Sequence, residues 1–243
     1  MKLVMIRHGE PDYVHDSLTP KGFYEADLLA ERVGKMKVDE VYVSPRGRAR
    51  ATAAPSLEKL GREEIILPWL EEFDKKVKRP DVQDLAPVPW DWLPQDWAAY
   101  EPFYDRRKWS EHPVFTEASI REYYNKVTDS LDAFLKEHGY EREENMYRVT
   151  KSNEDTIVFF CHFGLTALLL GHLIGVSPMV LWQGAFAAPS SVTTVVTEER
   201  RDGVAAFRIT ALGDTAHLYV AGEEPSFSGR FRECYYREDQ RKD

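Results

Sequence analysis

The residues Lys2 to Ile6 form a short apolar run that ends abruptly in Arg7-His8-Gly9, delivering a guanidinium, an imidazole and a residue that lets a ligand approach the backbone. Further along the chain stand Arg48, Glu72 and His162, a second guanidinium, a carboxyl and a second imidazole. These types suit one another. Arginine is a bidentate partner for phosphate, a neutral imidazole is a nucleophile, and a carboxyl moves protons. A specified tripeptide such as Arg-His-Gly occurs in about one chain in thirty of this length by chance, so its weight rests on these companions.

Those side chains need elements to position them. Residues 2–6 read as a buried strand, which puts Arg7, His8 and Gly9 just past its carboxyl end, the edge where open α/β sheets bind ligands. Thr19 is a plausible N-cap before Pro20, and Ala26, Leu29, Ala30 and Val33 keep helical spacing. Residues 39–43 read as a second strand, and Ser44-Pro45 leads into a helix to about Leu60 that carries Arg48 near its start. Residues 64–67 make a third strand with Glu72 just beyond it. Residues 155–161 give the strongest strand signal, followed at once by His162-Phe163-Gly164 and by an apolar, buried helix over 165–174. Topology alone therefore strings the five side chains along one sheet edge.

Between them the pattern breaks. Residues 74–115 hold prolines at 80, 87, 89, 94, 102 and 113 together with Trp90, Trp92, Trp97 and Trp109, the mark of a folded insertion rather than a linker. Ser119-Ile120-Arg121-Glu122 resembles a capping box, and Ile120, Tyr123, Val127, Leu131 and Phe134 then form a helical stripe up to Gly139. Residues 141–154 are polar and carry no predicted element. Residues 192–197 and 205–210 read as closing strands, and the charged last twenty residues as peripheral. The alternation predicts an α/β three-layer sandwich with a mainly parallel central sheet flanked by helices. It is expected to be one domain over residues 1–243, with a cap insertion at about 74–116.

Taken together, the motifs resemble the histidine phosphatase superfamily, the phosphoglycerate mutase-like family. Arg7-His8-Gly9-Glu10 is similar to its opening signature, and Leu18-Thr19-x-x-Gly22-x-x-Glu25-Ala26 to its next block. Ser44-Pro45-Arg46-Gly47-Arg48-Ala49-x-x-Thr52-Ala53 resembles the block of its second arginine. Leu70-Glu71-Glu72, His162 and Asp214-Thr215-Ala216-His217-Leu218 follow in order. The chain departs from the pattern at Glu25, where glutamine is commoner, at Phe163 after the second histidine, and at Phe73-Asp74-Lys75. The resemblance implies that Arg7 and Arg48 clamp a phosphate, that His8 becomes a phosphohistidine, and that His162 donates to the transferring group. It also implies that Glu72 protonates the leaving oxygen and then activates water, with Glu71 as its rival. Phe163, Arg106 and Arg107 are expected to contact the substrate, whereas Arg46, Arg50, His172 and His217 are read as structural or solvated.

The implied function is a phosphatase acting through phosphohistidine on a small phosphorylated metabolite. A cofactor-dependent phosphoglycerate mutase is the same-family alternative, and a non-catalytic phospho-ligand-binding scaffold the alternative from another class. No metal and no cofactor are expected. A formal charge of −9 argues against nucleic acid as a partner, and no apolar run spans a bilayer. The early charges in MKLVMIRHGE do not suit a signal peptide, so a cytoplasmic protein is expected, and a homodimer is compatible with it. The two cysteines, Cys161 and Cys234, make no disulfide framework, and no arginine stands six residues after Cys161 as a cysteine phosphatase loop would need. Serine-hydrolase and P-loop signatures are absent.

Overall fold

The computed structural model describes residues 1–79 and 88–241. Its first strand, β1 (Lys2–Arg7), is buried beyond its first residue, because both faces of this strand are covered. A small hairpin, β2 (Pro11–Asp12) and β3 (Ser17–Leu18), leads into α1 (Pro20–Val33). Thr19 caps that helix by accepting the Gly22 N–H, an interaction of about 1 kcal/mol. β4 (Glu40–Val43) and α2 (Gly47–Leu60) follow.

Residues 64–67, expected to be a third strand, make only one parallel bridge, Val43 to Ile66. The run has β4 on one side, Ile65 is exposed, and Pro68 begins a 3₁₀ turn (Pro68–Leu70) before the pairing can extend.

After residue 88 the chain forms two short helices, α3 (Pro94–Ala98) and α4 (Pro113–Glu117), with 3₁₀ turns at Glu101–Tyr104 and Trp109–Glu111. Then comes α5 (Ile120–Glu137). Ser119 does not cap it. Its φ of 51° lies in the left-handed region and its hydroxyl makes no cap bond, so the helix starts from a tight turn instead of a capping box. The polar stretch read without an element is a hairpin, β5 (Tyr140–Glu143) and β6 (Met146–Val149). Its solvent face is built from cross-strand charge pairs, Arg148 with Glu141 and Glu143, which hide the apolar alternation in the sequence. The chain closes with β7 (Thr156–Cys161), α6 (Phe163–Ile174), α7 (Pro178–Gly184), β8 (Val192–Arg201), β9 (Val204–Asp214) and α8 (Ala216–Val220).

One seven-stranded sheet runs β4-β7-β1-β8-β9-β6-β5. Only β4, β7 and β1 are mutually parallel, and every pairing from β1–β8 outward is antiparallel. The sheet is thus mixed rather than mainly parallel, because β8–β9 and β5–β6 are tight hairpins and can pair in no other way. Alternation along β1 divides the core. Val4 and Ile6 pack with Leu29, Val33, Ala53 and Leu57 of α1 and α2, while Leu3 and Met5 face Leu131, Leu135 and Leu168 of α5 and α6. Trp92, Phe103, Trp109 and Phe115 belong to that second cluster, so the insertion's rings extend the main core; residues 80–87 of the insertion lie outside the described residues. Among the described residues no helix is long and apolar enough to cross a membrane.

Candidate active site

β1 and β7 are parallel and in register with Arg7 opposite Cys161, so His8 and His162 leave adjacent strands side by side. Their rings lie 5.2 Å apart at 59°. Both are buried, His8 at 2% exposure, which places the imidazoles in the floor of the site rather than on an exposed loop. The His8 Nδ1–H donates to the Gly9 carbonyl at 2.8 Å, leaving Nε2 with its lone pair free to act. Burial, and then the charges of Arg7 and Arg48, hold the His8 pKa well below its ordinary 6.5, so the ring is neutral at pH 7.

His162 is oriented by Ser44, whose Oγ lies 2.7 Å from Nε2. The same Oγ accepts the Arg46 N–H at 3.3 Å, and among the described residues Nε2 is the one acceptor within reach of the Ser44 O–H, an arrangement that assigns the ring proton to Nδ1. That Nδ1 is buried with no protein partner, a donor available to a ligand. Arg7 and Arg48 are buried too, at 5% and 7% exposure. Arg7 Nη1 donates to Ala187 O at 2.6 Å, and Arg48 Nη1 to Asp16 Oδ1 at 2.6 Å. Asp16 also accepts the Gly47 N–H at the start of α2, which ties the guanidinium to the helix that carries it.

Glu72 comes from the turn after Leu70. Phe73 anchors that turn by stacking between Tyr123, 4.7 Å away, and Trp182. The carboxylate accepts the N–H groups of Phe73, Leu165 and, more weakly, Gly164. Its two bonds to α6 supply what a side-chain N-cap would, since His162 at that position makes no cap bond. Burial raises the Glu72 pKa above the ordinary value, against the pull of those N–H donors and of Arg48. Glu71 points elsewhere and pairs with Arg46 at 2.8 Å, so the structure brings Glu72 and not its neighbour to the histidines. Gly164 is required here: a Cβ would sit 2.8 Å from Glu72 Oε1 and 2.5 Å from Trp90 Nε1.

Beside this cluster lies a cavity of about 200 Å³ walled by Trp90, Phe163, Trp182, Phe186, Arg230 and Phe231. Phe163 and Phe186 also face the Arg7 guanidinium. Of the last twenty residues, read as peripheral, 233–239 are exposed, but residues 226–231 reach the site. Ser226 Oγ donates to Glu10, and Ser228 O accepts from Arg7 at 3.4 Å. Tail contacts of this kind depend on tertiary packing and leave no periodic signal. Ser44, by contrast, stood in a recognised block, and its place opposite a strand-end histidine was the available clue. Arg106 and Arg107 are not brought to the site but line a separate cavity at the far end of α6, because the insertion that carries them packs along that helix. Cys161 is buried behind the histidines with its thiol pushed up to about 12 by that burial, so it is no nucleophile. Among the described residues no group of three or more His, Cys, Asp or Glu could hold a metal ion.

The sequence profile of the histidine phosphatase superfamily (branch 1) matches residues 3–210. A protein of Hydrogenobacter thermophilus with the provisional name phosphoserine phosphatase 2 is 26% identical over 151 residues, 56% of this chain and 68% of that protein. A phosphoserine phosphatase mutant from Entamoeba histolytica, crystallised with phosphoserine, superposes with a TM-score of 0.59 at 19% identity, covering 89% of this chain and 98% of its own. A mycobacterial glucosyl-3-phosphoglycerate phosphatase superposes with a TM-score of 0.55 at 20% identity, covering 88% and 99%. At such identities the structural likeness is one of fold.

Proposed function

The chain belongs to the histidine phosphatase superfamily and is a hydrolase of that type, and from that premise we propose that it cleaves the phosphomonoester of a small metabolite through a phosphohistidine at His8. The observation that carries the reading is the convergence of two buried, neutral imidazoles 5.2 Å apart with two buried arginines and a buried carboxyl. Arg7, Arg48 and the His162 Nδ1–H hold the phosphate oxygens. His8 Nε2 attacks phosphorus while the bond to the ester oxygen breaks, and protonated Glu72 gives its proton to that oxygen. Glu72, now ionised, then takes a proton from water as the water oxygen attacks phosphorus. The P–N bond breaks, and inorganic phosphate leaves with His8 neutral and Glu72 protonated again.

The leaving group fits the aromatic cavity beside Arg7, where Arg230, ion-paired with Glu233, stands at the rim. Residues 1–243 act as one domain in this reading, and the insertion borders the leaving-group cavity through Trp90 and Asp91. The phosphatase names of the relatives support hydrolysis over transfer to a second substrate. The test is a phosphate-release screen over phosphoserine, sugar phosphates and phosphoglycerates, with and without a second acceptor, joined to rapid-quench trapping of the enzyme. Release with an acid-labile, base-stable phosphoenzyme is expected. Transfer to the acceptor without net release would favour a mutase, and silence on every ester a scaffold.

A further inference from the structure

The Arg106-Arg107 pair, left over by the catalytic reading, lies with Arg142 on a cavity of about 360 Å³ at the C-terminal end of α6. Tyr124, Asn145 and Glu144 complete its polar lining. Arg142 is held in place: its Nε donates to Glu144 O, and its Nη1 to Tyr147 OH at 2.7 Å and to His172 O at 3.1 Å. Arg106 Nη1 donates to the Asn145 side chain. None of the three guanidiniums forms an ion pair with a carboxylate among the described residues, although acids outnumber bases 41 to 32 in the sequence. Elsewhere on this surface Arg50, Arg148 and Arg237 each have an acidic partner. Cations also suit a helix C-terminus. That accounts for the Arg142 bond to His172 O, but the Arg106 and Arg107 side chains bond no carbonyl of α6 and are left with unused donors.

We propose that this cavity is a second anion site, built for a small ligand carrying two or more phosphoryl groups, and distinct from the catalytic centre. Arg106 and Arg107 with unused donors, beside the tethered charge of Arg142 on one concave surface, recognise spread, multiple negative charge, whereas a single phosphate would engage only one guanidinium. The volume is that of a metabolite-sized ligand. The two sites stand at opposite ends of a twelve-residue helix, about 18 Å apart at 1.5 Å per residue, too far for one small ester to bridge. Glu144 subtracts one charge, so the site should prefer ligands whose charge reaches past it to Arg106 and Arg107.

The experiment is calorimetric titration of tripolyphosphate into the full chain with the catalytic centre filled by excess orthovanadate. One tripolyphosphate per chain is expected to bind, with affinity falling as salt rises. Citrate, tested in parallel, is expected to bind more weakly, and equal or tighter citrate binding would overturn the assignment to phosphoryl groups. The Arg106→Glu/Arg107→Glu double variant should weaken tripolyphosphate at least about tenfold while hydrolysing p-nitrophenyl phosphate as the parent does. Arg107→Gln, which removes only an exposed side chain that makes no hydrogen bond, serves if the double variant misfolds, and should weaken binding measurably. Loss of all tripolyphosphate binding once vanadate is present, or binding unchanged in either variant, overturns the proposal. The vanadate arm separates it from the catalytic reading, since a failed second site leaves phosphate release and the His8 phosphoenzyme untouched.

Discussion

The two ends of α6 face the same electrostatic problem and meet it differently. At the amino end the free N–H groups of Gly164 and Leu165 are met by the Glu72 carboxylate, and at the carboxyl end the His172 carbonyl is met by Arg142. The amino end is sealed. Glu72 is buried, His162 is fixed by Ser44, and His8 by the Gly9 carbonyl, so the reacting groups are held before any ligand arrives. The carboxyl end is open, with Arg107 exposed and Arg106 and Arg142 half-buried around a cavity. On the proposed reading, one end is preorganised for chemistry on a single phosphoryl group and the other offers adaptable cations for recognition. The predictions below test that division, and the largest effects belong at the sealed end.

His8→Ala should remove the phosphoenzyme and lower kcat by about 10⁴-fold or more, because His8 Nε2 has no protein partner whereas the His162 Nε2 is engaged by Ser44. Rapid quench of the first turnover measures it, and near-parental turnover would end the proposed mechanism. The wild-type pH profile carries the same signature. His8 must be neutral, so activity falls on the acid side, and its lowered pKa moves that limb below pH 6.5. Glu72 must be protonated, so activity falls as pH rises through its pKa, which burial places above 4.5.

Next in size, Glu72→Gln should slow cleavage of alkyl phosphates by about 10²-fold, with a clearly smaller loss for phosphorylation by p-nitrophenyl phosphate, whose leaving group needs no proton. The basic limb of the pH profile should vanish in this variant while the acid limb stays. Glu71→Gln is the control and should behave like the parent, as its pairing with Arg46 directs it away from the histidines. A leaving-group-dependent loss in Glu71→Gln instead would transfer the acid role to the neighbour. Smaller again is Ser44→Ala, which frees His162 to take either tautomer. It should cost about tenfold in kcat with little change in KM. Nitrogen NMR of His162 should show protonated Nδ1 in the parent and a mixture in the variant. A pure Nδ1–H tautomer surviving in the variant would remove Ser44 from the site.

What the sequence disclosed divides along the same line. His8, Arg48 and His162 were placed together because a parallel strand pair delivers its loop residues to one edge, and that rule needs no side-chain contact to be known. Glu72 was located to within one residue, and only the Phe73 stack between Tyr123 and Trp182 settles which carboxyl faces inward. The β5–β6 hairpin was missed because charged cross-strand pairs on an exposed face carry no hydrophobic period, whereas β8 and β9 were legible as strands and only their antiparallel course, set by the short turn between Arg201 and Val204, was not. Arg106 and Arg107 were assigned to the substrate on charge alone. No periodicity reports where an insertion's side chains come to rest, and packing took them to the opposite end of α6.

The smallest effect expected is the one that tests the division itself. Arg107→Gln should leave kcat/KM on small phosphate esters within about twofold of the parent, because the two ends of α6 are about 18 Å apart and the Debye length is about 8 Å at physiological ionic strength. Field lines through the protein interior are screened less than those through water, so a residual long-range attraction of substrate would survive as a small loss that disappears when salt is raised. Comparing parent and variant at low and high ionic strength separates the two cases. A loss that fades with salt is steering by net charge and leaves the two ends independent. A rise in KM that persists at high salt, and grows with the size of the ester, would mean that the substrate reaches Arg107 directly. The open end of α6 would then be the far wall of one extended substrate site, and the contrast between a sealed catalytic end and a separate recognition end would fall.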